Sequence, residues 1–323
     1  MTRFVLTLLC VLGCYTATNY SSPRTAETFG EWSTPVNVGP PLNTADNDNY
    51  AVLSRNELTI YFTSDRPGGL GVEDLWFATR ESVDSLWDDP QNMAAINSSV
   101  ADSLPFLSPN EHVLYFHSTR VGGCGKGDIW MTRRRNKQSD WQKPTNLGCV
   151  LNTSDVEIAP AFFEDPETEQ AWLFYGSDRP GGLGDYDVYA SPLGEDGSVG
   201  PVIHIPDLSS KARDTRVFIR KDALEAFVTT NRPGGQGLID IWVSTRETLS
   251  DSWPAPVNLG RPVNSEFDDG APWLSKDGTT LYFFSNRSGN RDIWYTTRVK
   301  GHHENGVHLD GRPIYEVLRA RLW

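Results

Sequence analysis

TSDRPGGLGVEDLWFATR, running from Thr63 to Arg80, reads as the end of one strand, a glycine-rich turn and the start of another strand. The passage returns as HSTRVGGCGKGDIWMTRR from His117, GSDRPGGLGDYDVYASP from Gly176, TNRPGGQGLIDIWVSTR from Thr230 and SNRSGNRDIWYTTR from Ser285. Each copy carries a turn arginine: Arg66, Arg120, Arg179, Arg232 and Arg287. They recur at a period of roughly 55 residues, and self-similarity at a fixed period decides architecture before any local signal does. Five units rich in short strands imply a closed radial array of sheets.

One unit shows how. Tyr50 to Ser54 is a short apolar run, strand A, followed by an Asn56-Glu57 turn. Leu58 to Ser64 is strand B, the glycine-rich turn follows, and Asp74 to Thr79 is strand C. WDDPQNM, Trp87 to Met93, is a shorter outer strand D. Runs of this length bounded by Gly, Pro and Asn are strand signals, and four antiparallel strands make one propeller blade. Later A strands are Leu104–Ser108, Ala159–Phe163, Arg216–Arg220 and Ala271–Ser275; later D strands open at Trp141 and Trp253. The third unit has SVGPVIHI at this place, lacking the Trp and Asn. The fifth unit has no strand D, whereas WSTPVNVG from Trp32 is a strand D with nothing before it. The expected fold is therefore all-β: a five-bladed propeller of four-stranded antiparallel blades, closed by the N-terminal strand. Closure removes an edge that would otherwise expose unpaired backbone groups.

Around the repeat, residues 1–14 read as an export signal, with Arg3 ahead of the apolar run Phe4 to Leu12. That run is too short to span a bilayer. VLGC, ending at Cys14, resembles a bacterial lipobox, which implies lipidation of Cys14 and a membrane contact only through that anchor. Residues 15–30 would be a tether, 31–298 the propeller and 299–323 a tail. The expected location is the periplasm or an outer-membrane anchor. The net charge of −13 excludes a nucleic-acid footprint. A monomer is expected.

The S-x-R-x-G-G and D-I-W pieces, with the turn SKDGTTLYF at Ser275, resemble the WD40-like β-propeller repeat family typified by the propeller of the Tol system. The resemblance covers about Trp32 to Arg298 in all five copies. It implies a propeller. It does not carry over the Tol role, because relatives of that type have six blades and a further domain.

In such a fold the B–C turns and the D-to-A crossovers share one face, and that richer face is where function is sought. Aligning strand A on Pro105, Pro160 and Pro272 brings Asp48, Asp102, Glu157, Asp214 and Asp269 into register near the channel mouth. A ring of five carboxylates repels itself unless a cation or basic groups sit among them. Calcium suits such a ring, and the turn arginines are the alternative partners; no cofactor is required. The aspartates opening strand C are Asp74, Asp128, Asp187, Asp240 and Asp292, and with the arginines they read as structural parts of each blade. Departures from symmetry mark any specific ligand site: Glu157 in place of Asp, Arg216 in place of an apolar residue, Trp273, and Tyr186 in the third turn.

No nucleophile motif stands out, so no catalytic residue is assigned. The leading expectation is a non-catalytic binding or scaffolding propeller of the cell envelope, holding a protein segment or glycan on the crossover face. The alternative is a carbohydrate-active enzyme using two channel-mouth carboxylates. Cys124, in the second B–C turn, and Cys149, just after strand D of the same blade, are expected to form a disulfide after export.

Overall fold

A computed structural model describes residues 27–301. The export segment, Cys14, most of the tether and the tail beyond Gly301 lie outside the described residues. Twenty strands form five four-stranded antiparallel sheets, and no helix occurs among the described residues. In chain order, β1 is Val36–Asn37. The first blade is β2 (Asp48–Leu53), β3 (Thr59–Ser64), β4 (Asp74–Thr79) and β5 (Gln91–Asn92). The second is β6 (Asp102–Leu107), β7 (Val113–Ser118), β8 (Asp128–Arg133) and β9 (Thr145–Asn146). The third is β10 (Glu157–Glu164), β11 (Ala171–Ser177), β12 (Asp187–Leu193) and β13 (Ile203–His204). The fourth is β14 (Asp214–Ile219), β15 (Glu225–Thr230), β16 (Asp240–Thr245) and β17 (Val257–Asn258). The fifth is β18 (Asp269–Leu274), β19 (Thr280–Ser285) and β20 (Asp292–Thr297), with β1 as its outer strand.

Closure rests on side chains as well as on the β1–β20 ladder. Asn37 donates to the Asp292 carboxylate at 2.8 Å, and Asn43 exchanges two 2.9 Å bonds with the backbone of Ile293. Asn92, Asn146 and Asn258 make the Asn37-type bond to Asp74, Asp128 and Asp240, at 3.0, 2.8 and 2.9 Å. The third blade lacks that Asn, and His204 stands there with Nε2 3.5 Å from Asp187. The N-terminal segment therefore completes the fifth blade with the same contacts that complete the first, second and fourth.

The outer strands are shorter than the sequence predicts, two residues each. The W-x-x-P spacing explains this, because proline lacks the N–H a ladder needs. The tryptophan ahead of it packs instead under the arginine that follows strand C. Arg80 lies 4.3 Å over Trp87, Arg134 4.4 Å over Trp141, Arg246 4.2 Å over Trp253 and Arg298 4.5 Å over Trp32.

The paired glycines of the turn have separate jobs. Gly68 holds φ at 96°, which L-residues resist. A Cβ on Gly69 would lie 2.3 Å from the Asp74 carboxylate, so the second glycine leaves room for the turn to close on that acid. Asp74 accepts from the N–H groups of Leu70 and Gly71. The turn also packs on the crossover leading to the next blade: a Cβ on Gly71 would strike the Val100 carbonyl. Turns and crossovers thus share one face. The structure also joins Cys124 to Cys149 by a disulfide, with Cα atoms 5.6 Å apart.

Candidate functional site at the channel mouth

Each innermost strand starts at the crossover face with its acid and ends at the A–B turns. Five acids therefore stand around one end of the channel, but none is open. Asp48, Asp102, Glu157, Asp214 and Asp269 are all fully buried. Each is bound by the turn arginine of its own blade: Arg66–Asp48 at 2.5 Å, Arg179–Glu157 at 3.1 Å, Arg232–Asp214 at 2.6 Å, Arg287–Asp269 at 2.5 Å, and Arg120 on Asp102. In the four aspartates the other oxygen takes a backbone N–H and a hydroxyl from the residue four upstream, as Ser265 gives both to Asp269 at 2.7 Å. In Glu157 the Thr153 hydroxyl shares Oε1 with Arg179, and the Thr153 N–H donates to Oε2. The arginine donates onward to the carbonyl of the crossover, Arg287 to Val263 at 2.6 Å.

These pairs correct the reading of the ring as a ligand or calcium site. The carboxylates are neutralised by arginine and saturated by donors, so their oxygens are not free to coordinate an ion. Among the described residues no group of three or more His, Cys, Asp or Glu could hold a metal. Glu157 also departs only in length, since it holds the equivalent partners through one more methylene.

Arg216 and Trp273 do not lie at the mouth either, because strand A runs the depth of the channel and both follow their acid. Arg216 is 1% exposed and crosses the channel to the Pro105 carbonyl at 3.1 Å, with its guanidinium 5.7 Å from the Phe106 ring. Its Nε and Nη1 have no partner, and burial pulls its pKa down to about 10. At the same position Tyr50, Leu104, Ala159 and Ala271 hold φ between 53° and 56° on a bulge in each strand. Trp273 lines a cup at the opposite end.

The chemically unequal groups sit one residue ahead of the repeated acids. Before strand C stand Glu73, Gly127, Tyr186, Ile239 and Arg291; before strand A stand Asn47, Ala101, Val156, Arg213 and Asp268. The backbone joins these columns between neighbouring blades: Asp102 donates to the Glu73 carbonyl, Asp48 to that of Arg291, and Asp214 to that of Tyr186. They therefore rim the mouth. The Glu73 carboxyl is pushed up by burial, against the lowering effect of the Ser103 hydroxyl and of Arg291. Asp268 is likewise raised by burial, with Arg291 pulling the other way. The Arg291 guanidinium is 4.0 Å from Asp268 and 5.3 Å from the Phe284 ring. The Tyr50 hydroxyl is raised by burial too, and feels Arg291, Glu73, Arg216 and Arg213 together. Arg213 lies 4.5 Å over the Tyr186 ring. Two carboxyls held up by burial, two arginines and the Tyr186 phenol thus rim one opening, with the Tyr50 phenol deeper, at the level of Arg216.

Of these, sequence reasoning found Tyr186 and missed Glu73, Asp268, Arg213, Arg291 and Tyr50. The available signal was variation: within an internal repeat, columns that differ between blades sit beside columns that do not.

No family model matches the chain, and no curated protein does. Solved structures do. An α-L-arabinofuranosidase from Lactobacillus brevis aligns at 14% identity and a TM-score of 0.56, over 85% of this chain and 94% of that one. The catalytic domain of a Coprinopsis cinerea GH62 α-L-arabinofuranosidase aligns at 11% identity and 0.56, over 83% and 97%. A GH43_1 enzyme from Xanthomonas citri, complexed with xylose, aligns at 13% and 0.56, over 85% and 92%. The chain shares the fold of the glycoside hydrolase propellers. This corrects two expectations. The repeat is not matched to the WD40-like, Tol-type family, and the reading as a non-catalytic binding or scaffolding propeller is overturned by neighbours that are hydrolases.

Proposed function

We propose that the protein is a carbohydrate-active enzyme, similar to a glycoside hydrolase, with its reaction centre at the crossover-face mouth of the channel. The observation that carries this is the pair Glu73 and Asp268. They are mouth carboxyls outside the five tight ring pairs, Asp268 having only Arg291 at 4.0 Å, and burial raises the pKa of both. Glycosidic cleavage needs one carboxyl that keeps its proton and one that does not.

Glu73 has no ion pair among the described residues and burial raises it, so it is the proton donor to the departing glycosidic oxygen. Asp268, with Arg291 at 4.0 Å, is the carboxylate that attacks the anomeric carbon or activates water there. The proton lost by Glu73 goes to the leaving hydroxyl as the carbon–oxygen bond breaks. Arg213, Arg291 and the Tyr186 hydroxyl are donors for sugar hydroxyls, and the Tyr186 ring offers an apolar face. Water and two carboxyls suffice, so the reaction requires no cofactor. Export before action is supported by the signal-like N-terminus and by the disulfide.

The test is hydrolysis of aryl α-L-arabinofuranosides and aryl β-xylosides, the sugars of the structural neighbours. Wild-type turnover that is lost in Glu73→Gln and in Asp268→Asn, with folding intact, is the expected result. No hydrolysis of any glycoside by the wild type rejects the reading.

A further inference from the structure

The other end of the channel carries a second, unrelated cavity. Strands A finish there in Phe106, Phe162, Phe218 and Trp273, which line a cup of about 320 Å³. Phe106 and Phe218 meet across it with centroids 6.3 Å apart. Above this apolar floor three cations stand at the same turn position of three blades: Arg55, Lys221 and Lys276. All three are exposed, and their side chains have no ion-pair or hydrogen-bond partner among the described residues. The acids next to them are taken. Asp222 is bound by Arg220 at 2.5 Å. Asp277 is capped by Ser275 and Thr279 at 2.6 and 2.8 Å. Asp165 accepts from the N–H groups of Glu167 and Thr168 at 2.9 Å. Glu164 is the one carboxylate lining the cup. In a chain of net charge −13, three cations without an ion pair among the described residues and one carboxylate, Glu164, line this apolar hollow.

We propose that this cup binds a compact aromatic carboxylate. The ring would lie on the Phe and Trp floor, where edge and offset contacts between aromatic groups are favourable. The carboxylate would face outward to Arg55, Lys221 and Lys276, which gain a charge partner they lack. A cup of about 320 Å³ walled by aromatic rings suits a flat guest better than a long acyl chain. None of the residues lining the cup belongs to the rim of the mouth, so the site is independent of the hydrolase reading.

Isothermal titration calorimetry on the full chain tests it with three probes: trans-cinnamate, cinnamamide and hexanoate. Cinnamate is expected to bind in the micromolar to low-millimolar range. Cinnamamide, of the same shape without the charge, should bind about tenfold more weakly, as should cinnamate to Lys221→Glu/Lys276→Glu, since exposed ion pairs are each worth only a few-fold. Hexanoate should bind less tightly than cinnamate. Both lysines are exposed and unpartnered, so the melting temperature should not move; Arg55→Gln is a second variant that weakens cinnamate alone. Undetectable cinnamate binding, equal binding of the amide, indifference to the lysine and arginine variants, or tighter hexanoate binding would each overturn the assignment.

Discussion

Asp268 and Asp269 are consecutive residues with opposite fates. Asp269 is fully buried, bound by Arg287 at 2.5 Å and by two donors from Ser265, and its counterparts recur in all five blades. Asp268 remains 15% exposed, its nearest cation is 4.0 Å away, and the other blades have Asn, Ala, Val or Arg in its place. A group repeated five times in one setting serves the setting: it fastens a turn arginine to a crossover. A group present once, desolvated and incompletely paired, keeps a titration that chemistry can use. Repetition in this molecule marks structure, and the break in repetition marks the reactive rim.

The comparison breaks first at the level of stability. Replacing Asp269 by Ala strands the Arg287 guanidinium, and losing one partner of a buried pair costs about 3–5 kcal/mol. Asp268→Asn should cost less than about 1 kcal/mol, because no buried charge is left alone. Urea unfolding of the two variants measures the gap; equal losses would mean that the rim acid is as structural as the ring acid.

Arg216 sharpens the contrast from the other side. It is the buried guanidinium of the channel that has no carboxylate, and burial already pulls it down to about 10. Its folded pKa lies below the unfolded value, so at neutral pH the charged native state is disfavoured. Arg216→Met should therefore stabilise the protein, by about 1–3 kcal/mol, as apolar replacements of buried charges do. A loss of stability on thermal unfolding would show that the Pro105 contact and channel filling outweigh the orphaned charge.

The smallest effect concerns Glu73. Burial raises its folded pKa above the unfolded value, so its contribution is fully present below the unfolded pKa and is lost as pH rises through the folded one. Glu73→Gln removes that loss. The variant should match wild type near pH 4 and exceed it at pH 8 by under about 1 kcal/mol. A variant less stable at pH 8 would show a carboxylate that the native state prefers charged.

How much of this was legible beforehand follows from the same contrast. The glycine pair, turn arginine and strand-C aspartate repeat because each blade needs them, so strand order and N-terminal closure could be read from spacing. The outer strands were read too long, because the W-x-x-P tryptophan spends its side chain on an arginine rather than its backbone on a ladder. The ring acids were visible, but their saturation was not: whether a carboxylate faces a channel or an arginine 18 residues away is a matter of side-chain direction. Glu73 and Asp268 were hidden beside the repeat, since a single acid in a variable column has no pattern. The cup was hidden for a different reason: Trp273 was placed at the mouth, nothing marked Phe106 and Phe218 within their strands, and only the closed ring turns all three toward one hollow.

The most direct test of the account is the pH dependence of aryl α-L-arabinofuranoside and β-xyloside hydrolysis by wild type, Glu73→Gln, Asp268→Asn and Asp48→Asn. The account expects a bell-shaped profile in wild type, with the alkaline limb set by a Glu73 carboxyl above the usual carboxylate range. Glu73→Gln and Asp268→Asn should lose about 10²–10⁴-fold in kcat, the span typical of positioned acid–base groups. Asp48→Asn should lose stability while keeping its turnover per folded molecule. Activity that survives in both rim variants and vanishes with the ring acid would contradict the account, because the reactive carboxyls would then be the repeated ones.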